Sequence, residues 1–182
     1  MTQSFSINHN QYMELALEQA SYSIPSESAY CVGAVLIDSS QPINQQIIST
    51  GYSREIQGNT HAEECCLIKY ALKSNNQSID YNTIIADTQY IINNIHSIQL
   101  PSTYIMYTTM EPCSTRLSGK VSCTELLVRV QLQAVCVACY EPSTFVEHCV
   151  GIELLKQNNV HVHIMEQYKQ QAFNYNKHVI LS

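Results

Sequence analysis

Apolar residues first recur at three- and four-residue spacing in 8–23 (NHNQYMELALEQASYS), where Met13, Ala16, Leu17 and Ala20 share one face. That period predicts an amphipathic helix, with Asn8 or Asn10 as its cap and Pro25 barring its continuation. The period then shortens. Residues 30–38 (YCVGAVLID) form a continuous apolar, β-branched run, which predicts a buried strand. Gln41-Pro42-Ile43-Asn44 is turn-like, and 46–52 (QIISTGY) reads as a second strand closing a hairpin. Helical spacing returns in 61–74, where Cys65, Leu67, Ile68, Ala71 and Leu72 share a face and Asn59 or Thr60 is the expected cap. Strands are expected at 103–109, 133–140 and 160–165, and helices at 123–130, 150–158 and 166–179. Strands alternating with helices predict a three-layer α/β domain with parallel crossovers. The stretch 75–101 breaks the pattern and reads as an elaborated connection.

Composition narrows this reading. The 182 residues are 45% hydrophobic, enough for one sizeable core, and a single domain over 1–182 is expected. Charged residues make up only 13%, which argues against charge-driven disorder. Nine Lys+Arg against fifteen Asp+Glu leave a net charge of −6. Such a chain has no long-range attraction for a polyphosphate, so nucleic acid is not an expected partner. No apolar run approaches the ~18 residues of a membrane span. The first residues, MTQSFSINHNQY, lack the basic and apolar regions of a secretory signal. Eight cysteines without an export signal favour reduced thiols or a metal site, and a cytoplasmic protein.

Three short clusters carry the chemistry. His61-Ala62-Glu63 opens a predicted helix, Glu111-Pro112-Cys113 follows a predicted strand, and Cys123 opens the next helix. One imidazole and two thiolates suit Zn2+ and leave a fourth position open for water, as catalytic zinc requires. Glu63, two residues past the histidine, is placed to move protons without being a ligand. The order H-x-E, then P-C, then a second cysteine is that of zinc deaminases. It departs from their usual spacing, because Arg116 stands three residues after Cys113 and nine residues separate Cys113 from Cys123. The intervening segment, Ser114 to Ser122, holds four hydroxylated residues with Arg116, Gly119 and Lys120. A loop so composed, anchored by a metal ligand at each end, suits a phosphate at the mouth of the site. Arg54 is a further candidate for that contact.

The segments GYSREIQGNTHAEECCLIKY, YTTMEPCSTRLSGKVSC and YEPSTFVEHCVGIELLKQNNVHV resemble the deaminases of fungal riboflavin biosynthesis. The resemblance covers roughly residues 10–165. Ser122 departs from it, because the family has proline before the second cysteine. The resemblance implies a cytidine deaminase-like α/β/α sandwich around a central mixed five-stranded sheet. It implies a phosphorylated pyrimidine substrate, 2,5-diamino-6-ribitylamino-4(3H)-pyrimidinone 5′-phosphate, which loses its 2-amino group as ammonia. It also implies that Asn59 and the backbone near Gly33 and Ala34 hold the pyrimidine. This fold often dimerises, so a homodimer is the protein partner to look for. The chain has no length for a second enzymatic domain, so deaminase activity alone is expected.

Other candidates have plainer readings. Cys136 and Cys139 form a C-x-x-C inside a predicted strand, where residues three apart face opposite ways, so both read as core. His161 and His163 share a strand face without a third ligand, and His9 belongs to no constellation. Two rival functions remain: another deaminase of this fold, acting on cytosine, a nucleoside, dCMP or tRNA adenosine, and a non-catalytic deaminase-like subunit. A tRNA substrate fits poorly with net charge −6. The presence of Glu63 speaks against a dead subunit.

Overall fold

The computed structural model describes residues 6–74 and 100–180. The connection expected at 75–101 lies almost wholly outside the described residues. Helix α1 spans His9–Tyr22 and is capped by Asn8, whose side chain accepts the Gln11 N–H. Strands β1 (Gly33–Asp38) and β2 (Ile47–Tyr52) form the expected hairpin, with a bulge between Leu36 and Ile37. Helix α2 spans Ala62–Ser74 and leads, beyond the undescribed segment, to β3 (Tyr104–Thr108). Then follow α3 (Cys123–Arg129), β4 (Ala134–Val137), α4 (Gly151–Gln157) and β5 (His161–Ile164).

The five strands lie in the order β2-β1-β3-β4-β5. The sheet is mixed: β1 is antiparallel to both β2 and β3, while β3, β4 and β5 run parallel. Parallel crossovers are therefore confined to one half of the sheet. Alternation along the strands feeds two cores. Val35, Ile37, Ile105, Tyr107, Ala134 and Cys136 pack under α1 and the C-terminal helices. Ala34, Leu36, Met106, Val135 and Val137 pack on the other face against α2, α3 and α4. This is the three-layer arrangement expected.

The single helix expected at 166–179 is in fact three pieces: a 3-10 turn at Glu166–Tyr168, α5 at Lys169–Asn174 and α6 at Lys177–Ile180. Asn176 sits in the last break and explains it. Its buried amide accepts the Cys31 N–H at 2.6 Å and donates to the Cys31 carbonyl at 3.2 Å and the Ala172 carbonyl at 3.0 Å. The residues before β1 are thereby held by a side chain instead of a neighbouring strand, so the strand starts at Gly33 and not at Tyr30. Gly33 itself is required by packing. A Cβ there would lie 2.0 Å from the Ala16 carbonyl oxygen and 2.3 Å from the Ala20 nitrogen, so only glycine lets α1 rest on β1.

Candidate active site

The C-terminal ends of β3 and β4 and the N-termini of α2 and α3 meet at one edge of the sheet. In an open α/β sheet this is where ligands collect. His61 stands immediately before α2, and its carbonyl accepts the Cys65 N–H, so it occupies the cap position expected of Asn59 or Thr60. Gly58 (φ 103°) and Asn59 (φ 57°) both adopt left-handed backbone and turn the chain sharply into that position. Cys113 follows the end of β3, and Cys123 is the first residue of α3, capped by the Ser122 hydroxyl accepting the Glu125 N–H. Serine here replaces the proline that the resemblance led one to expect, and it supplies a cap in its place.

Sequence places these three residues far apart, and the fold brings them together. Nδ1 of His61 lies 3.5 Å from Cys113 Sγ and 3.4 Å from Cys123 Sγ, and the three ligand atoms lie within 4.8 Å of one another. A tetrahedral zinc, with bonds of roughly 2.1 Å to nitrogen and 2.3 Å to sulfur, sets adjacent N and S ligand atoms roughly 3.6 Å apart. The donors therefore fit that ion in both kind and spacing. This is the one such His/Cys/carboxylate group found among the described residues.

Electrostatics agree with this fit. Without a metal, the Cys123 thiol donates to Cys113 and, against the effect of burial, pulls Cys113 below the usual thiol range, with His61 adding to the pull. Cys123 keeps the proton and is held well above that range. Burial is the largest influence on His61 and would lower it, but the hydrogen bond to Cys113 and the negative charges of Cys113 and Glu63 together outweigh it and the pKa rises. Cys113 and Cys123 would give up that shared proton to serve a dication as two thiolates.

Glu63 lies one residue into α2 and is 3% exposed. Its Oε1 accepts the Thr108 hydroxyl at 2.9 Å. Burial raises its pKa, with His61 opposing. Glu63 and His61 both line a cavity of about 140 Å³, together with Cys113, Asn59, Arg54, Arg116 and Glu141. Tyr30 and Phe145 form part of the far wall, their rings 4.8 Å apart in an edge-on arrangement.

The remaining expected contacts divide. Asn59 and Arg54 line the cavity, and the Arg54 guanidinium also donates to the Ile24 carbonyl. Arg116 lines it too, but its side chain is 2% exposed and both Nη atoms are engaged, one on Glu64 at 2.8 Å and one on the Asn59 carbonyl. Its two terminal nitrogens are therefore already spent. Lys120 lies outside the lining residues and donates to the Gly58 carbonyl. Gly33 and Ala34 are also outside the lining. The Gly33 N–H donates to Thr109 Oγ1 at 3.1 Å, and its carbonyl accepts the Thr109 N–H at 3.0 Å, so no backbone group there is left for a ligand. Their neighbour Val32 reaches the cavity instead.

Sequence reasoning missed Glu141 and the function of Glu111. Glu111 is buried, and its carboxylate accepts the Ile152 N–H at 2.9 Å and the Glu141 N–H at 3.2 Å, fixing the segment that forms the far wall. Burial pushes Glu141 up to about 7. Glu141 Oε2 and Arg116 Nε are the buried side-chain atoms without a hydrogen-bond partner among the described residues, and both belong to residues lining the cavity. An acceptor and a donor are thus left for a polar ligand. The signal in sequence was an acidic residue directly after the strand expected at 133–140.

The chain belongs to the cytidine and deoxycytidylate deaminase family, whose zinc-binding region matches residues 6–139. Among curated proteins it is similar to the diaminohydroxyphosphoribosylamino-pyrimidine deaminase of Schizosaccharomyces pombe (strain 972), with 43% identity over 153 residues. That match covers 84% of this chain but 31% of the relative, so the chain spans under a third of that protein's length. Among solved structures it is similar to the Aspergillus oryzae Rib2 deaminase, a C-terminal deletion mutant at pH 4.6. The TM-score is 0.72 and the identity 26%, covering 96% of this chain and 92% of that one. The same deaminase in complex with DARIPP matches with a TM-score of 0.64 and 25% identity, over 93% and 98% of the two chains.

Proposed function

We propose that this chain hydrolyses the 2-amino group of 2,5-diamino-6-ribitylamino-4(3H)-pyrimidinone 5′-phosphate. The products would be 5-amino-6-ribitylamino-2,4(1H,3H)-pyrimidinedione 5′-phosphate and ammonia, a step of riboflavin synthesis carried out in the cytoplasm by a single deaminase domain. The observation that carries this reading is one cavity lined by Glu63 and by His61 and Cys113 of the donor set that Cys123 completes. The likeness to the A. oryzae Rib2 deaminase, one of whose structures holds DARIPP, supports the choice of substrate.

His61, Cys113 and Cys123 would hold Zn2+, which when bound acidifies a water molecule. Glu63 would carry the water's first proton to a ring nitrogen and then its second, released as the carbonyl forms, to the departing amine. Thr108, donating to Glu63 Oε1, fixes the carboxylate for this relay. The Glu141 carboxylate meets a polar group of the ligand. Arg54, at the cavity, and Lys120, on the adjoining loop, remain the cations for the phosphate.

The test is ammonia release by the zinc-loaded protein, offered the diaminopyrimidinone ribityl phosphate beside cytosine, cytidine and dCMP. Release from the ribityl phosphate alone is expected. Release only from another substrate would keep the site and overturn the pathway, and zinc binding without any release would mark a non-catalytic subunit.

A further inference from the structure

Glu63 and Glu64 are adjacent in the first turn of α2, yet only Glu63 lines the cavity. Glu64 is turned to the side and buried, 1% exposed. Its Oε2 accepts two donors at once: the His61 backbone N–H at 3.2 Å and Arg116 Nη1 at 2.8 Å. The second Nη of Arg116 donates to the Asn59 carbonyl. These bonds join two pieces of chain that sequence keeps apart. One is the left-handed turn at Gly58 and Asn59 that presents His61. The other is the loop of 114–122, with Cys113 and Cys123 at its ends.

We infer that Arg116 and Glu64 form a buried tether that holds the histidine half and the cysteine half of the metal site at ligand spacing. The inference rests on the metal reading above and assigns Arg116 a positioning role in place of the phosphate contact expected from sequence. The physical case is that the Arg116–Glu64 ion pair is buried and reaches the loop itself, whereas the buried Thr108–Glu63 bond ties α2 only to the end of β3. Lys120 also bridges from the loop to Gly58, but on the exposed surface, where a single contact is worth little. A planar guanidinium can serve a carboxylate and a carbonyl at fixed angles, which an ammonium cannot. Arg116 is also spaced within the loop so that pinning it divides the nine residues between the thiolates into two short spans. Each thiolate then has less freedom to leave the ligand position.

Partners that orient metal ligands are worth roughly 10–100-fold in metal affinity. The measurement is the rate at which a chromogenic chelator strips zinc from the loaded protein, read beside kcat, KM and the unfolding midpoint of the zinc-free form. Removing Arg116 alone leaves Glu64 buried and unpaired, which endangers folding. The main variant is therefore the uncharged pair Glu64→Gln with Arg116→Met. Arg116→Lys, which keeps a charge opposite Glu64, is the second. The paired variant should release zinc roughly 10-fold faster or more, with a lower kcat and a nearly unchanged KM. Arg116→Lys should fall between it and the parent. Zinc release at the parent rate in both variants would overturn the tether. So would a rise in KM confined to the phosphorylated substrate, since that would return Arg116 to the phosphate. A parent protein that binds no zinc would instead overturn the metal reading, and the tether with it.

Discussion

Among the described residues, two cysteine–histidine neighbourhoods behave in opposite ways. At the sheet edge, Cys113 and Cys123 face His61 Nδ1 at 3.5 and 3.4 Å. Inside the α1 layer, Cys136 lies 3.9 Å from His9 Nδ1, and the Tyr107 hydroxyl pairs with that same nitrogen at 2.7 Å. Both pairs of residues combine a buried thiol with an imidazole. In the first, a second thiol supplies a proton to share, so Cys113 is drawn down and His61 is drawn up. In the second, no partner thiol adjoins among the described residues, and burial pushes Cys136 up to about 12. Burial, with His163 nearby, moves His9 down. Residue type and burial are thus shared, and the third group decides whether a Cys–His contact becomes a ligand set or a neutral core contact.

The sharpest way to test the comparison is to disable the buried carboxylate that adjoins the first neighbourhood. Glu63→Gln should retain zinc and lose turnover by roughly 10²–10⁴-fold, as ammonia release and metal content on one sample would reveal. Retained turnover would remove Glu63 from the proton relay.

A smaller contrast comes from the thiols themselves. Cys123→Ser should weaken zinc by more than the roughly 10–100-fold typical of a mere supporting partner. Cys136→Ser should leave zinc stoichiometry unchanged and instead cost about 1–3 kcal/mol of stability, for placing a hydroxyl in a fully buried site. Equal metal loss in both variants would erase the distinction.

The smallest effect is a pH dependence. The His9 pKa lies below its ordinary 6.5, so the folded protein binds fewer protons there than the unfolded chain. That contribution to stability is complete above 6.5 and is lost as pH falls toward the folded value. His9→Gln should therefore flatten the decline in unfolding midpoint between about pH 7 and about pH 5. A parallel decline in the variant would place the acid sensitivity elsewhere.

Much of this was legible along the chain. The strand and helix order, and the trio of His61, Cys113 and Cys123 with Glu63 beside it, came from periodicity and residue type. Both are local properties: a strand's alternation and a ligand's donor atom are carried by the residue itself. The C-x-x-C at 136–139 also read correctly as core, but for a reason that does not hold. The strand ends at Val137, so Cys136 and Cys139 share one core cluster and do not face opposite ways.

What sequence could not supply was which polar groups are already spent. Arg116 looked free for a phosphate until Glu64 and the Asn59 carbonyl were seen to occupy it. Gly33 looked available to a ligand until Thr109 was found to take both of its backbone groups. Nothing marked Glu141 as an acceptor without a partner, since that depends on the segment Glu111 holds in place. A side chain's chemistry is written in its own atoms, so sequence determined the donor set and the carboxylate beside it. The use to which a charge or an amide is put depends on which neighbour reaches it first, and folding alone sets those distances.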